Sequence, residues 1–104
     1  MQLKRHKCFR KDELKVKLMD EQYAKRIKYL SCILQNTPLL SEAKDHILTG
    51  EHKGFREFHL GSDMLMLYKV HDNVLYLQRI GTHSQLFKQK GFVAFFICHG
   101  LIKD

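Results

Sequence analysis

Between Phe9 and Gln35 the apolar positions recur at helical spacing: Leu14 and Leu18 stand four apart, and Ile27, Leu30 and Leu34 follow at intervals of three and four. That periodicity predicts two helices with a break near Met19 and Asp20, where Asp20 can cap the second. Asn36, Thr37 and Pro38 end it, and a loop with one helical turn leads to Ile47 and Leu48. Beyond Gly54 the period shortens. Phe55 to Leu60, Met64 to Val70 and Val74 to Ile80 are short runs rich in aromatic and branched residues, separated by Gly61-Ser62-Asp63 and His71-Asp72-Asn73. They predict three antiparallel strands joined by tight turns. Leu3 to Lys7 can add an edge strand. Helices followed by a strand meander define an α+β class, with two N-terminal helices packed on one face of a small antiparallel β-sheet. Residues 1–87 are expected to form the domain and residues 88–104 a C-terminal extension. The extension holds an apolar run, Phe92 to Ile97, much too short to span a bilayer. It can be a strand over an edge, a partner-binding segment or an aggregation-prone tail.

Length and composition narrow the picture. A chain of 104 residues closes one core, and 44% hydrophobic with 28% charged residues and one proline excludes a disordered or collagen-like protein. The first residues lack the apolar run of a signal peptide, so a cytoplasmic protein with no membrane partner is expected. Cys8, Cys32 and Cys98 are odd in number and form no CxxC pair, which predicts reduced thiols. The net charge is +7, and ten cations against four acids in residues 1–30 place nearly all of it there. Such a basic segment, with Lys11, Lys15 and Lys17 at its middle, favours a polyanionic partner: RNA, DNA or an acidic protein. A solvated helical face is the plainer alternative.

The candidate chemistry lies in the strand half. His59 ends one predicted strand and Asp63 begins the next; Arg79 lies near the end of the last strand, His83 follows its turn, and His46 precedes the sheet. Cleavage of an RNA phosphodiester by its own 2′-hydroxyl needs a base for the hydroxyl proton, a cation for the phosphoryl oxygens and an acid for the departing 5′-oxygen. Two histidines, a carboxylate and an arginine, whose planar fork holds two phosphate oxygens, cover those roles. Phe87 can stack on a base. Against this, a strand-end histidine is commonly an ordinary surface residue, Arg79 can pair with Glu57, and Phe87 can close the core. A metal site from His46, His52, His59 and Asp63 lacks HExxH or comparable spacing.

The order of these residues is more specific than any one of them. KDHILTGEHKGFREFHLGSDMLMLYKV followed by LYLQRIGTHSQLF, Lys44 to Phe87, resembles the YafQ branch of the RelE/ParE superfamily of bacterial toxins. The shared pattern is Asp-His with Leu-x-Gly, Gly-(Phe/Tyr)-Arg-(Asp/Glu)-x-His, an Asp before an apolar strand ending Tyr-Lys, and Arg-x-Gly-(Ser/Thr)-His-x-x-Leu-Phe. The resemblance implies a messenger RNA endonuclease acting at the ribosomal decoding site without metal or cofactor, restrained by a cognate antitoxin through which alone it meets operator DNA. It implies a catalytic set of His46, His59, Asp63, Arg79 and His83: His83 as acid, Arg79 as phosphate clamp, His59 with Asp63 on the base side, and His46 positioning substrate or sharing the base role. Phe87, Lys53 and Arg56 would bind substrate, and Lys11, Lys15 and Lys17 ribosomal RNA. Met64 and His52 stand where the family has tryptophan. A gyrase-directed toxin of the same fold and a non-catalytic RNA-binding module are the alternatives.

Overall fold

The computed structural model describes residues 1–48 and 54–87. Strand β1 (Gln2–Arg5) leads into helices α1 (Lys7–Lys15) and α2 (Asp20–Leu34), a short 3-10 turn at Ser41–Ala43, strands β2 (His46–Ile47), β3 (Arg56–Gly61), β4 (Met64–His71) and β5 (Val74–Thr82), and helix α3 (His83–Phe87). The sheet order is β1-β5-β4-β3-β2. The three expected strands form the antiparallel centre. Two edges extend it: β1 pairs with β5 in parallel, so the sheet is mixed, and the two-residue β2 pairs with β3 where a loop was expected. The β4–β5 hairpin turns at Asp72 and Asn73, both with positive φ (51° and 60°). Short polar side chains tolerate that conformation, and it matches the twist of the flanking strands.

The helices lie where the periodicity put them, with different boundaries and a different inward face. Helix α1 starts at Lys7, where the His6 ring nitrogen accepts from the Cys8 amide at 3.2 Å, and stops at Lys15, so the break is longer than Met19-Asp20. Asp20 is the first helical residue of α2 rather than its cap; the Gln22 side chain reaches back to the Met19 amide at 2.9 Å. Leu14 and Ile27 are 89% and 66% exposed, and the residues buried against the sheet are Phe9, Tyr29 and Ile33. They meet Phe58, Leu60, Met66, Tyr68, Leu75, Leu77 and Ile80 in the main core, with Tyr29 edge-on to Phe58 at 5.5 Å. The opposite face carries a smaller cluster of Phe55, Leu65, Leu67 and Leu86, with Leu48 and Phe87 beside it. Cys32 is a free thiol. Cys98, Lys53, His52 and the extension lie outside the described residues.

Candidate active site

Residues directly opposed in an antiparallel pair project to the same side of a sheet. His46 faces Glu57, Glu57 faces Leu67 and Leu67 faces Arg79, a row across four strands; His59, Leu65 and Gly81 form the next row. These positions alternate with the core residues Phe58, Leu60 and Met66, so both rows lie on the face away from α1 and α2. Arg79 joins the row through a bulge. Leu67 pairs with Arg79 but Tyr68 pairs with Leu77, so Gln78 is an extra residue; in unbroken alternation Arg79, two residues after Leu77, would share its core side.

Helix α3 brings in the remaining histidine. Thr82 and Gln85 cap each other, the Gln85 carboxamide oxygen accepting from the Thr82 amide at 2.8 Å and the Thr82 hydroxyl from the Gln85 amide at 3.3 Å. A Cβ on Gly81 would sit 3.0 Å from Gln85 Oε1 and 3.2 Å from Leu86 Cδ2, so the helix docks onto the strand because that position lacks a side chain. His83 starts α3, 60% exposed, with its ring 5.0 Å from that of Phe87 and its Nδ1 4.0 Å from Asp63 Oδ1.

At the centre stands Glu57, its side chain 5% exposed. His46 Nε2 lies 3.1 Å from Glu57 Oε2, and His59 Nε2 lies 3.9 Å from Glu57 Oε1, which has no hydrogen-bond partner. His46 Nδ1 is 2.7 Å from the Lys44 carbonyl, which can only accept. Nδ1 therefore carries the hydrogen in that bond, and Nε2 is the atom turned to Glu57. Burial lowers the pKa of His59, and the charges of His46, Lys44 and His83 push it the same way, opposed by Glu57. A histidine so placed is neutral at neutral pH and free to take a proton. The donor atoms of His46, Glu57 and His59 lie within 4.8 Å of one another, a spacing at which they could also hold a metal ion.

The fold thus brings His46, His59, Asp63, His83 and Phe87 to one end of one face, with Arg79 in the same cross-strand row but its guanidinium turned toward α1. Asp63 faces His83; the carboxylate beside His59 is Glu57, which the sequence suggested only as a salt-bridge partner. Arg79 pairs instead with Asp12 of α1, at 2.6 Å from Nε. Arg56, expected at the substrate, alternates to the core side and binds Asp45, its Nη2 3.0 Å from Asp45 Oδ2. The Tyr68 hydroxyl donates to the same carboxylate at 2.6 Å, and the Tyr68 pKa is raised by burial and by that bond. Lys11, Lys15 and Lys17 are exposed on and just beyond α1.

Residues 1–88 match the family described as bacterial toxin of type II toxin-antitoxin system, YafQ, which places this small basic α+β protein among the toxins of toxin–antitoxin pairs. The chain belongs to that family. It is 42% identical over 64 residues to the mRNA interferase toxin YafQ of Escherichia coli K12, covering 60% of this chain and 70% of that protein. Among solved structures, YafQ from E. coli BL21(DE3) superposes with a TM-score of 0.73 at 30% identity, over 83% of this chain and 97% of the other. A copper-bound mutant toxin from Helicobacter pylori gives 0.74 at 34% identity, over 83% and 98%. The E. coli DinJ–YafQ complex gives 0.71 at 30% identity, over 83% and 97%.

Proposed function

We propose that this protein is a metal-independent endoribonuclease, a toxin that cleaves messenger RNA in the ribosomal A site and so stops translation, held in check by a cognate antitoxin as DinJ accompanies YafQ. The observation that carries the reading is the half-buried His59, kept neutral beside the buried Glu57 on the face that presents the exposed His83. One histidine is suited to accept a proton and the other to give one. The family favours this over the gyrase-directed and binding-only readings, which need no acid–base set.

His59 takes the proton of the 2′-hydroxyl as that oxygen attacks phosphorus. Arg79 offsets the charge gathering on the phosphoryl oxygens. The bond from phosphorus to the 5′-oxygen breaks, His83 protonates the leaving oxygen, and the products are a 2′,3′-cyclic phosphate and a 5′-hydroxyl. Glu57 steadies His59 and His46, Asp63 orients His83, and Phe87 stacks on a base beside it. His46 positions the substrate. The ribosome would contribute by holding the strand with the 2′-oxygen in line, a geometric service worth several orders of magnitude. Lys11, Lys15 and Lys17 would grip ribosomal RNA, and Lys53 the substrate strand; operator DNA would be met only through the antitoxin complex. Residues 1–87 are the toxin domain in this reading, residues 88–104 an extension. Among the described residues no helix is long and apolar enough to cross a membrane, and a cytoplasmic site of action follows from the ribosomal target.

The test is messenger RNA cleavage by purified protein, with ribosomes in magnesium and with free RNA in EDTA. Cleavage on ribosomes is expected, with a loss of roughly 10²–10⁴-fold in folded His83→Ala, the usual worth of a general acid. Wild-type rates in that variant would remove the acid assignment, and no cleavage by folded protein would remove the nuclease.

A further inference from the structure

Beside the acid–base cluster, the same face of the sheet carries a cation that the reaction does not use. Lys69 on β4 pairs with Tyr76 on β5, and Tyr76 pairs with Lys4 on β1. Phe55, just ahead of β3, belongs to the apolar cluster of Leu65, Leu67 and Leu86 on this face. Phe55, Lys69, Tyr76 and Lys4 thus form a row next to that of His46, Glu57 and Leu67. Strands rise about 3.3 Å per residue, so this row stands about 7 Å from Glu57 and about 13 Å from His59.

The Lys69 ammonium is flanked by a ring on either side. Its Nζ lies 5.2 Å from the centroid of Phe55 and 5.6 Å from that of Tyr76. Both contacts are cation–π attractions, and together they fix a side chain that is otherwise among the freest on a protein surface. An aromatic ring attracts a cation without cancelling its charge. Among the described residues no carboxylate pairs with Lys69: Glu57, the acid of the neighbouring row, faces His46 and His59. Phe55 is buried and forms the floor, Lys69 and Tyr76 are half-buried, and Lys4 is exposed. Packing alone does not call for a charge here, since a methionine would fill the gap between two rings as well. The row presents a fixed, uncancelled cation, with a second at its end, on the face where the strand to be cut must lie.

We propose that Lys69, braced by Phe55 and Tyr76, binds a backbone phosphate of the messenger RNA that flanks the scissile one, with Lys4 adding its charge at the end of the row. The proposal rests on the nuclease reading above. At about 13 Å from His59 the row is too far to touch the reacting phosphate, so Lys69 fixes where the strand lies and not how its bond breaks. Contacts to phosphate carry no sequence information; Lys69 sets register on the sheet and leaves base choice to other groups. A side chain already fixed loses little rotamer freedom on binding. The contact is the same before and during bond breaking, so its loss falls on KM rather than kcat.

The test measures binding of the full-length protein across a salt series to two targets: ribosomes programmed with a messenger bearing a 2′-deoxy scissile sugar, and vacant ribosomes. Cleavage of the ordinary messenger is measured alongside. Lys69→Met keeps a stem between the rings and removes the charge. It is expected to bind programmed ribosomes roughly 3- to 10-fold more weakly, with the slope of log affinity against log salt reduced by about 0.7, the share of one phosphate in a single strand. Affinity for vacant ribosomes should not change, and KM should rise by the same factor while kcat stays within about twofold. Lys69→Arg, which keeps the charge and the ring contacts, should restore binding. Wild-type affinity in folded Lys69→Met, with only its melting temperature lowered, would make Lys69 a packing residue and overturn the proposal. An equal loss on vacant ribosomes would overturn it too, by assigning Lys69 to ribosomal RNA. If Lys69→Met does not fold, the ¹³Cε resonance of Lys69 in the wild-type protein decides, read during titration with the 2′-deoxy oligonucleotide. A shift together with the Tyr76 ring signals supports the contact, and signals that stay in place refute it. No cleavage by the wild-type protein would refute the nuclease itself, a separate failure.

Discussion

At the scale of single residues, the site works by giving like groups unlike surroundings. His59 is 27% exposed and His83 60% exposed, and burial pushes the pKa of His59 below its ordinary 6.5. A base must be unprotonated to act, so the acid limb of kcat/KM for cleavage should fall below pH 6.5, and activity should persist where an ordinary histidine would already be charged. Glu57 opposes this shift, because its negative charge favours the protonated ring. Glu57→Gln removes that support, and the acid limb is expected to move to still lower pH, with a slower plateau from the weaker base. A pH–rate profile of the two proteins checks both signs. A limb above pH 6.5 in the wild type, or an upward move in the variant, would show that His59 is not the titrating base. Glu57 was within reach of the sequence: it fills the Asp/Glu position of the motif and stands two residues before His59 on a strand, hence on the same face. Its role stayed hidden because one acid next to an arginine and two histidines has no unique partner until the strands are paired.

At the scale of elements, the three central strands and both helices were legible because their periods of 2 and 3.6 are direct consequences of backbone geometry. Which face of α2 turns inward was not, since Ile27 and Tyr29 are both apolar and only the sheet beneath selects Tyr29. Helix α3 was announced by Thr82-x-x-Gln85, a capping pattern masked by the brevity of the segment after it. The bulge at Gln78 and the two-residue β2 left no sequence signal, since each is fixed by register between strands rather than along one. Arg56 shows the cost: its place in the motif suggested substrate, whereas alternation along β3 sends it to the core side. There it ties Asp45, at the root of β2, to Tyr68 on β4, and so holds His46 in line with Glu57. Arg56→Ala should therefore destabilise the fold by about 0.5–1.5 kcal/mol, because the guanidinium is two-fifths exposed and screened by water while Asp45 keeps its bond from Tyr68. Urea unfolding measures that loss, and binding of a non-cleavable RNA at saturating folded protein should be unchanged. Lost RNA affinity with full stability would return Arg56 to the substrate.

For the whole molecule, the division of charge matters more than the total. Of a net +7, nearly all lies in residues 1–30, while the acid–base cluster lies on the opposite face of the sheet. Lys7, Lys11 and Lys15 repeat every four residues along α1 and form an exposed stripe, continued by Lys17. A cleaved strand needs little of this stripe, but a large polyanion held against the helices would neutralise it, releasing counterions in proportion. Reversing Lys11, Lys15 and Lys17 to glutamate should weaken ribosome binding and reduce the slope of log affinity against log salt by roughly 2 to 3, close to one for each phosphate no longer neutralised. Cleavage per bound ribosome should be less affected, with any residue of the effect traceable to Lys15, which borders the pocket of Arg79. Binding measured across a salt series separates the two possibilities, because a merely solvated face would leave both affinity and slope where they were.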